Sequence, residues 1–151
     1  MKLSTNFTLQ EMTRSQIAAR EGFANEPDGK AIDNLKRLAT VMEDVRKVFD
    51  APIIISSGYR CIRLNCDYLK SKSTSAHVIG CAADFTVVGV PVDRAYEIIV
   101  ESDVQYDKLI REFYPPGWIH LSIPRSKEVE NRRENLIIDR SGTRFFKERK
   151  K

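Results

Sequence analysis

In the stretch SAHVIGCAADF, residues 75–85, a histidine and an aspartate stand seven positions apart in surroundings that are almost entirely small or apolar. This pairing constrains the fold more than any other feature of the sequence. Burying an imidazole or a carboxylate is costly unless something pairs with it, so the fold must bring partners to His77 and Asp84. The chain holds only 2 histidines, and the other is His120, in GWIHLSI.

Neutral imidazole and carboxylate are both good zinc ligands, and a catalytic zinc site needs three protein ligands and one open position. His77, Asp84 and His120 supply that number. Their spacing suits a turn with His77 on a loop and Asp84 just inside the strand it feeds, and Gly80 permits a positive φ or a close approach there. His120 then comes from a neighbouring strand. Spacing alone leaves an ordinary reading open, in which the histidines are hydrogen-bonded core or surface groups and Asp84 caps a turn or accepts backbone hydrogen bonds.

The frame around these residues reads as α+β, with helices packed on a mainly antiparallel sheet. At 151 residues and 42% hydrophobic the chain is long enough for one compact domain over 1–151, with a basic tail, RFFKERKK, over about 141–151. Thr8 and Glu11 form a capping box, and a short helix closes at Gly22. From Gly29 to Phe49 the residues Ile32, Leu35, Leu38, Met42, Val45 and Phe49 recur at helical spacing, giving one long amphipathic helix ended by Pro52. PIIISSG reads as a short buried strand, AADFTVVGV as a second, and PVDRAYEIIVES as a helix started by Pro91. YDKLIREF and GWIHLSI flank a proline turn in a hairpin, and ENLIID is the last strand.

The formal charge of +4 favours an anionic partner without identifying one, and the basic residues are not interleaved with aromatics in one patch, so nucleic acid is not expected. No apolar run approaches a membrane span. The start, MKLSTNFTLQEM, lacks the apolar stretch of a secretory signal, so synthesis in the cytoplasm is expected. Cys61, Cys66 and Cys81 are odd in number and lack a CxxC pair, which points to free thiols.

The flanking residues carry more. SAHVIGCAADF resembles the SxHxxGxAxD motif of zinc D-Ala-D-Ala carboxypeptidases and L-alanyl-D-glutamate endopeptidases, with Ser75, His77, Gly80, Ala82 and Asp84 all in register. DKLIREF…WIHLSI looks like the second block of that family, which shares its fold with the zinc domain of hedgehog proteins. NFTLQEMTRSQIAAR and IIISSGYRCIRLN are similar to the opening and the SGYR segment of its small single-domain branch, common in bacteriophages. The resemblance covers roughly residues 5–140.

It implies one zinc ion on His77, Asp84 and His120, matching the spacing argument. It implies that Arg60 meets a carboxylate of the substrate, beside the alternative of a structural salt bridge. Ser75 would orient substrate or a ligand, or cap its loop. Trp118, two residues before His120, would wall the site or contact substrate, or serve the core.

Many members carry an acidic residue three positions before the last histidine, but that position here is Gly117. The nearest upstream candidate for the base is Glu112. An odd-numbered hairpin loop puts Glu112 on the face of His120, and an even one puts Arg111 there. The implied function is a zinc peptidase that hydrolyses peptidoglycan stem peptides through activated water. A monomeric phage or prophage endolysin is expected, acting on the wall after release or from the virion. The rival reading is a non-catalytic zinc-stabilised binding module of the same fold.

Overall fold

The computed structural model describes residues 1–147, and these form helices on one face of a mixed but mainly antiparallel sheet. Helices α1 (Leu9–Thr13) and α2 (Gln16–Glu21) are each started by a hydroxyl cap. Thr8 Oγ accepts from the Glu11 backbone N–H, and Ser15 Oγ from that of Ala18. The long helix α3 spans Gly29–Phe49, with Asp28 as its cap. It buries Ala31, Leu35, Leu38, Ala39, Met42 and Val45. It stops at Asp50, in the left-handed conformation, two residues before Pro52.

Six strands follow: β1 (Ile53–Ser57), β2 (Ala82–Val87), β3 (Lys108–Glu112), β4 (Trp118–Ser122), β5 (Glu134–Asp139) and β6 (Gly142–Phe145). Helix α4 (Val92–Glu101) lies between β2 and β3 in the chain, with Pro91 at its cap. The sheet order is β1-β2-β4-β3-β5-β6, and only the β3–β5 pair is parallel. One face is the core: Ala83, Phe85, Leu109, Ile119 and Leu121 pack against Leu35, Leu38, Tyr96 and Ile99 of the two longer helices. Because side chains alternate along a strand, Asp84, Glu112, Trp118 and His120 lie on the opposite face.

Two expectations are corrected. β1 is an edge strand, so its burial alternates and Ile54 is 54% exposed, whereas PIIISSG reads as a buried run because its isoleucines are consecutive. β5 is not the last strand. Residues 142–145, expected within a basic tail, pair with β5 as an exposed edge strand whose side chains all meet solvent. That strand lacks the buried alternation that marks a strand in a sequence. The remainder of the expected tail, 148–151, lies outside the described residues. Cys61, Cys66 and Cys81 are free thiols.

Candidate metal centre

The GYR segment leaves β1 across a register shift between Ile55 and Ser57 and is followed by a π-helical turn, Arg63–Tyr68. The chain then reaches a single 3₁₀ turn, Ala76–Ile79, which carries His77. Ser75 caps that turn, its Oγ accepting from the His77 N–H at 3.3 Å. Gly80 closes it at φ +79°, where a Cβ would lie 2.6 Å from the Ala31 carbonyl oxygen of α3. Any side chain there would push the turn off the helix, so Gly80 sets the depth of His77. Asp84 is the third residue of β2, and its Cα partner across the ladder is His120 of β4.

The three side chains converge. Asp84 Oδ1 lies 2.9 Å from His120 Nδ1 and 3.4 Å from His77 Nε2, and all three donor atoms fall within 4.8 Å of one another. Ligands placed tetrahedrally around zinc at about 2.0–2.1 Å are spaced about 3.3 Å apart, so the donor set and its spacing fit the ion. His77 is buried and its Nδ1 donates to the Gly58 carbonyl oxygen at 2.7 Å, which leaves the Nε2 lone pair directed at the site.

Burial pushes the Asp84 carboxyl up, but the two imidazoles outweigh it and hold the group well below the usual carboxylate range. Burial pulls His77 below the ordinary histidine value against the attraction of Asp84. Both groups are therefore in their metal-binding protonation states at neutral pH.

A carboxylate stands beside this cluster. The β3–β4 loop, residues 113–117, has five residues, and the ladder pairs Glu112 with Trp118 and Ile110 with His120. The odd-loop case is thus the observed one, and Glu112 shares the face of His120. The Trp118 indole N–H donates to Glu112 Oε2. Burial raises the Glu112 pKa and the Asp84 charge raises it further, with His120, the Trp118 bond and Arg60 only partly offsetting them. A half-buried acid tuned upward beside a metal cluster is suited to general acid–base work.

A family model for peptidase M15 matches residues 5–122. The chain belongs to the peptidase M15 family. A search of curated proteins finds no match. The family's cofactor is zinc, and this protein is a zinc metallopeptidase with His77, Asp84 and His120 positioned for the ion.

In this M15 peptidase the loop before His120 also explains why the position three residues upstream carries no acid. Gly117 has φ +59°, and a Cβ there would lie 2.1 Å from the Glu112 carbonyl oxygen. Arg60 is brought to the centre, where its guanidinium bonds Asp84 Oδ2 at 3.0 Å. Beyond His120 the open face of the sheet continues into a cleft of about 660 Å³, bordered by Ser75, Lys108, Ile110, Ser122 and Arg125.

Sequence reasoning missed the supporting groups Ser57, Gly58, Asn25 and Asn65. Ser57 and Gly58 sit inside the SGYR segment already singled out. Asn25, in the polar break NEPDG, acts on residues 12 to 36 positions away, and Asn65 acts on Arg60 and Lys72 through an irregular segment that has no periodic pattern.

Proposed function

We propose that this M15 peptidase hydrolyses peptidoglycan stem peptides, as a D-Ala-D-Ala carboxypeptidase or an L-Ala-D-Glu endopeptidase, in the role of a phage or prophage endolysin. It would reach the wall after release from the cytoplasm, or from the virion. The observation that carries the reading is the upward-tuned Glu112 on the same face as His120, which itself borders the cleft.

Zinc, when bound, supplies Lewis acidity, acidifying water and polarising a carbonyl. The protein's own groups do the rest. Glu112 takes a proton from water and returns it to the leaving amine, its burial keeping its affinity for that proton above that of an ordinary glutamate. The Trp118 indole N–H holds one carboxylate oxygen, so the group is aimed before substrate arrives. The cleft, with Ile110 on its floor and Lys108 and Arg125 among its borders, suits a short peptide that carries a carboxylate.

The test is digestion of purified peptidoglycan with and without a chelator, with zinc add-back and mass analysis of the released peptides. New amino termini at D-Glu identify the endopeptidase, and loss of a single alanine identifies the carboxypeptidase. No cleavage by protein that carries stoichiometric zinc removes the reading and favours the binding module.

A further inference from the structure

The segment that follows β1 holds both chelating elements from behind. The Gly58 carbonyl oxygen accepts a hydrogen bond from His77 Nδ1–H, and the Arg60 backbone N–H donates to the His77 carbonyl oxygen at 3.1 Å. The Arg60 side chain then reaches Asp84. Its Nε donates to Ser57 Oγ at 2.9 Å, Nη1 to Asn65 Oδ1 at 3.3 Å, and Nη2 to Asp84 Oδ2 at 3.0 Å.

We propose that Arg60 is a positioning residue for the metal ligand Asp84, rather than the group that receives a substrate carboxylate. The two oxygens of Asp84 are divided between different partners. Oδ2 belongs to the guanidinium, while Oδ1 is the atom that both imidazoles approach. Arg60 therefore leaves one oxygen facing the ligand cluster and fixes Asp84 as a single-oxygen donor. Each nitrogen of the planar fork already has an acceptor, and the Arg60 side chain is only 13% exposed.

The frame behind Arg60 is itself locked. Asn65 is fully buried and donates to the Lys72 carbonyl oxygen at 2.8 Å. Asn25 donates to the carbonyl oxygens of Thr13 at 2.8 Å and Tyr59 at 2.9 Å, and accepts from the Cys61 N–H at 2.7 Å. Three of the five guanidinium N–H donors are committed to Ser57, Asn65 and Asp84, so a substrate carboxylate taking the fork bidentately would compete with Asp84 for Nη2. The cleft has another cation for that task. Lys108 projects from the open face two residues from Ile110, the partner of His120, and makes no ion pair among the described residues.

The inference rests on the zinc reading of the site, and its test separates the two. Zinc affinity is measured by chelator competition, and the absorption spectrum of the cobalt-substituted protein reports the ligand set. Both are compared for the unaltered protein, Arg60→Ala and Arg60→Lys, with kcat and KM for a stem peptide taken at saturating metal. Arg60→Ala is expected to weaken metal binding about 10–100-fold and to change the cobalt spectrum. Arg60→Lys, which offers one donor to Asp84, should recover part of the affinity, and KM should stay within about twofold in both. Unchanged affinity and spectrum would overturn the inference, whether or not KM rises.

Should the Arg60 variants fail to fold, Ser57→Ala removes only the bond to Nε. A smaller loss of metal affinity in that variant supports the inference, and none overturns it. If the unaltered protein takes up no metal, the zinc reading fails; if it does and the variants match it, only the role of Arg60 fails.

Discussion

Replacing Glu112 by glutamine should separate catalysis from folding, with opposite signs. The amide keeps an oxygen for the Trp118 indole N–H, so the β3–β4 hairpin and its pairing of Glu112 with Trp118 are retained. What is lost is the proton acceptor, and general acid–base groups contribute about 10²–10⁴-fold, or roughly 3–5 kcal/mol of barrier. Stability moves the other way. Burial raises the Glu112 pKa in the folded chain, so this group favours the fold fully below the unfolded glutamate value, and that contribution is lost as pH rises through the folded value. Glutamine stays neutral and escapes the loss. In chelator-treated protein the Tm of Glu112→Gln minus that of the parent should therefore climb as pH rises from about 4 and level off above the folded pKa. The assay is zinc content, kcat on purified stem peptide and Tm against pH for both proteins. Full hydrolysis by Glu112→Gln with normal zinc content would remove Glu112 from the mechanism, and a Tm difference that falls with pH would refute the electrostatic argument.

His77→Ala and His120→Ala should each lose zinc and activity together, as measured by metal analysis and peptide release, because each removes one of three ligands from a cluster within 4.8 Å. Chelation of the unaltered protein should lower Tm by about 5–10 °C. That follows from about 2.7 kcal/mol of linkage at a hundredfold excess over Kd and about 2–4 °C per kcal/mol for a chain of this size; full recovery on zinc addition checks it. Zinc affinity should hold at neutral pH and decline in acid, since burial keeps His77 below the ordinary histidine value and its protonation competes with the ion only at lower pH; titration calorimetry across pH reads this. Gly117→Ala should cost at least about 1–2 kcal/mol from its left-handed backbone alone. It should also lower kcat without lowering zinc content, because its Cβ would meet the Glu112 carbonyl oxygen.

The metal ligands were legible because burial makes isolated polar residues conspicuous. His77 and Asp84 stand out from SAHVIGCAADF by chemistry alone, and with 2 histidines in the chain a second imidazole ligand had one candidate. Helix α3 was legible for a related reason: its buried residues recur at a period that only a helix satisfies. The edges of the sheet were not. Consecutive isoleucines in β1 look buried on both faces until a neighbour is found to be missing, and β6 has no buried residue to betray it. Burial patterns report a strand's faces, whereas its place in the sheet depends on partners elsewhere in the chain.

The same distinction explains Arg60 and Glu112. Both were legible as residue types near the centre, and in both the role turns on direction. A count of loop residues decides the face of Glu112, and the structure supplies it: five residues, ended by a glycine whose position tolerates no side chain. No such count exists for Arg60, because its direction is set by Ser57, Asn65 and Asp84 acting together. A guanidinium free at its tip would face substrate, whereas one with an acceptor at every nitrogen belongs to the ligand it holds. The centre thus divides its charged groups by which face of Asp84 they meet. Arg60 braces the oxygen turned away from the imidazoles, and the imidazoles share the other. Glu112, which burial and the Asp84 charge leave more basic than a free glutamate, is the carboxylate we propose moves the proton.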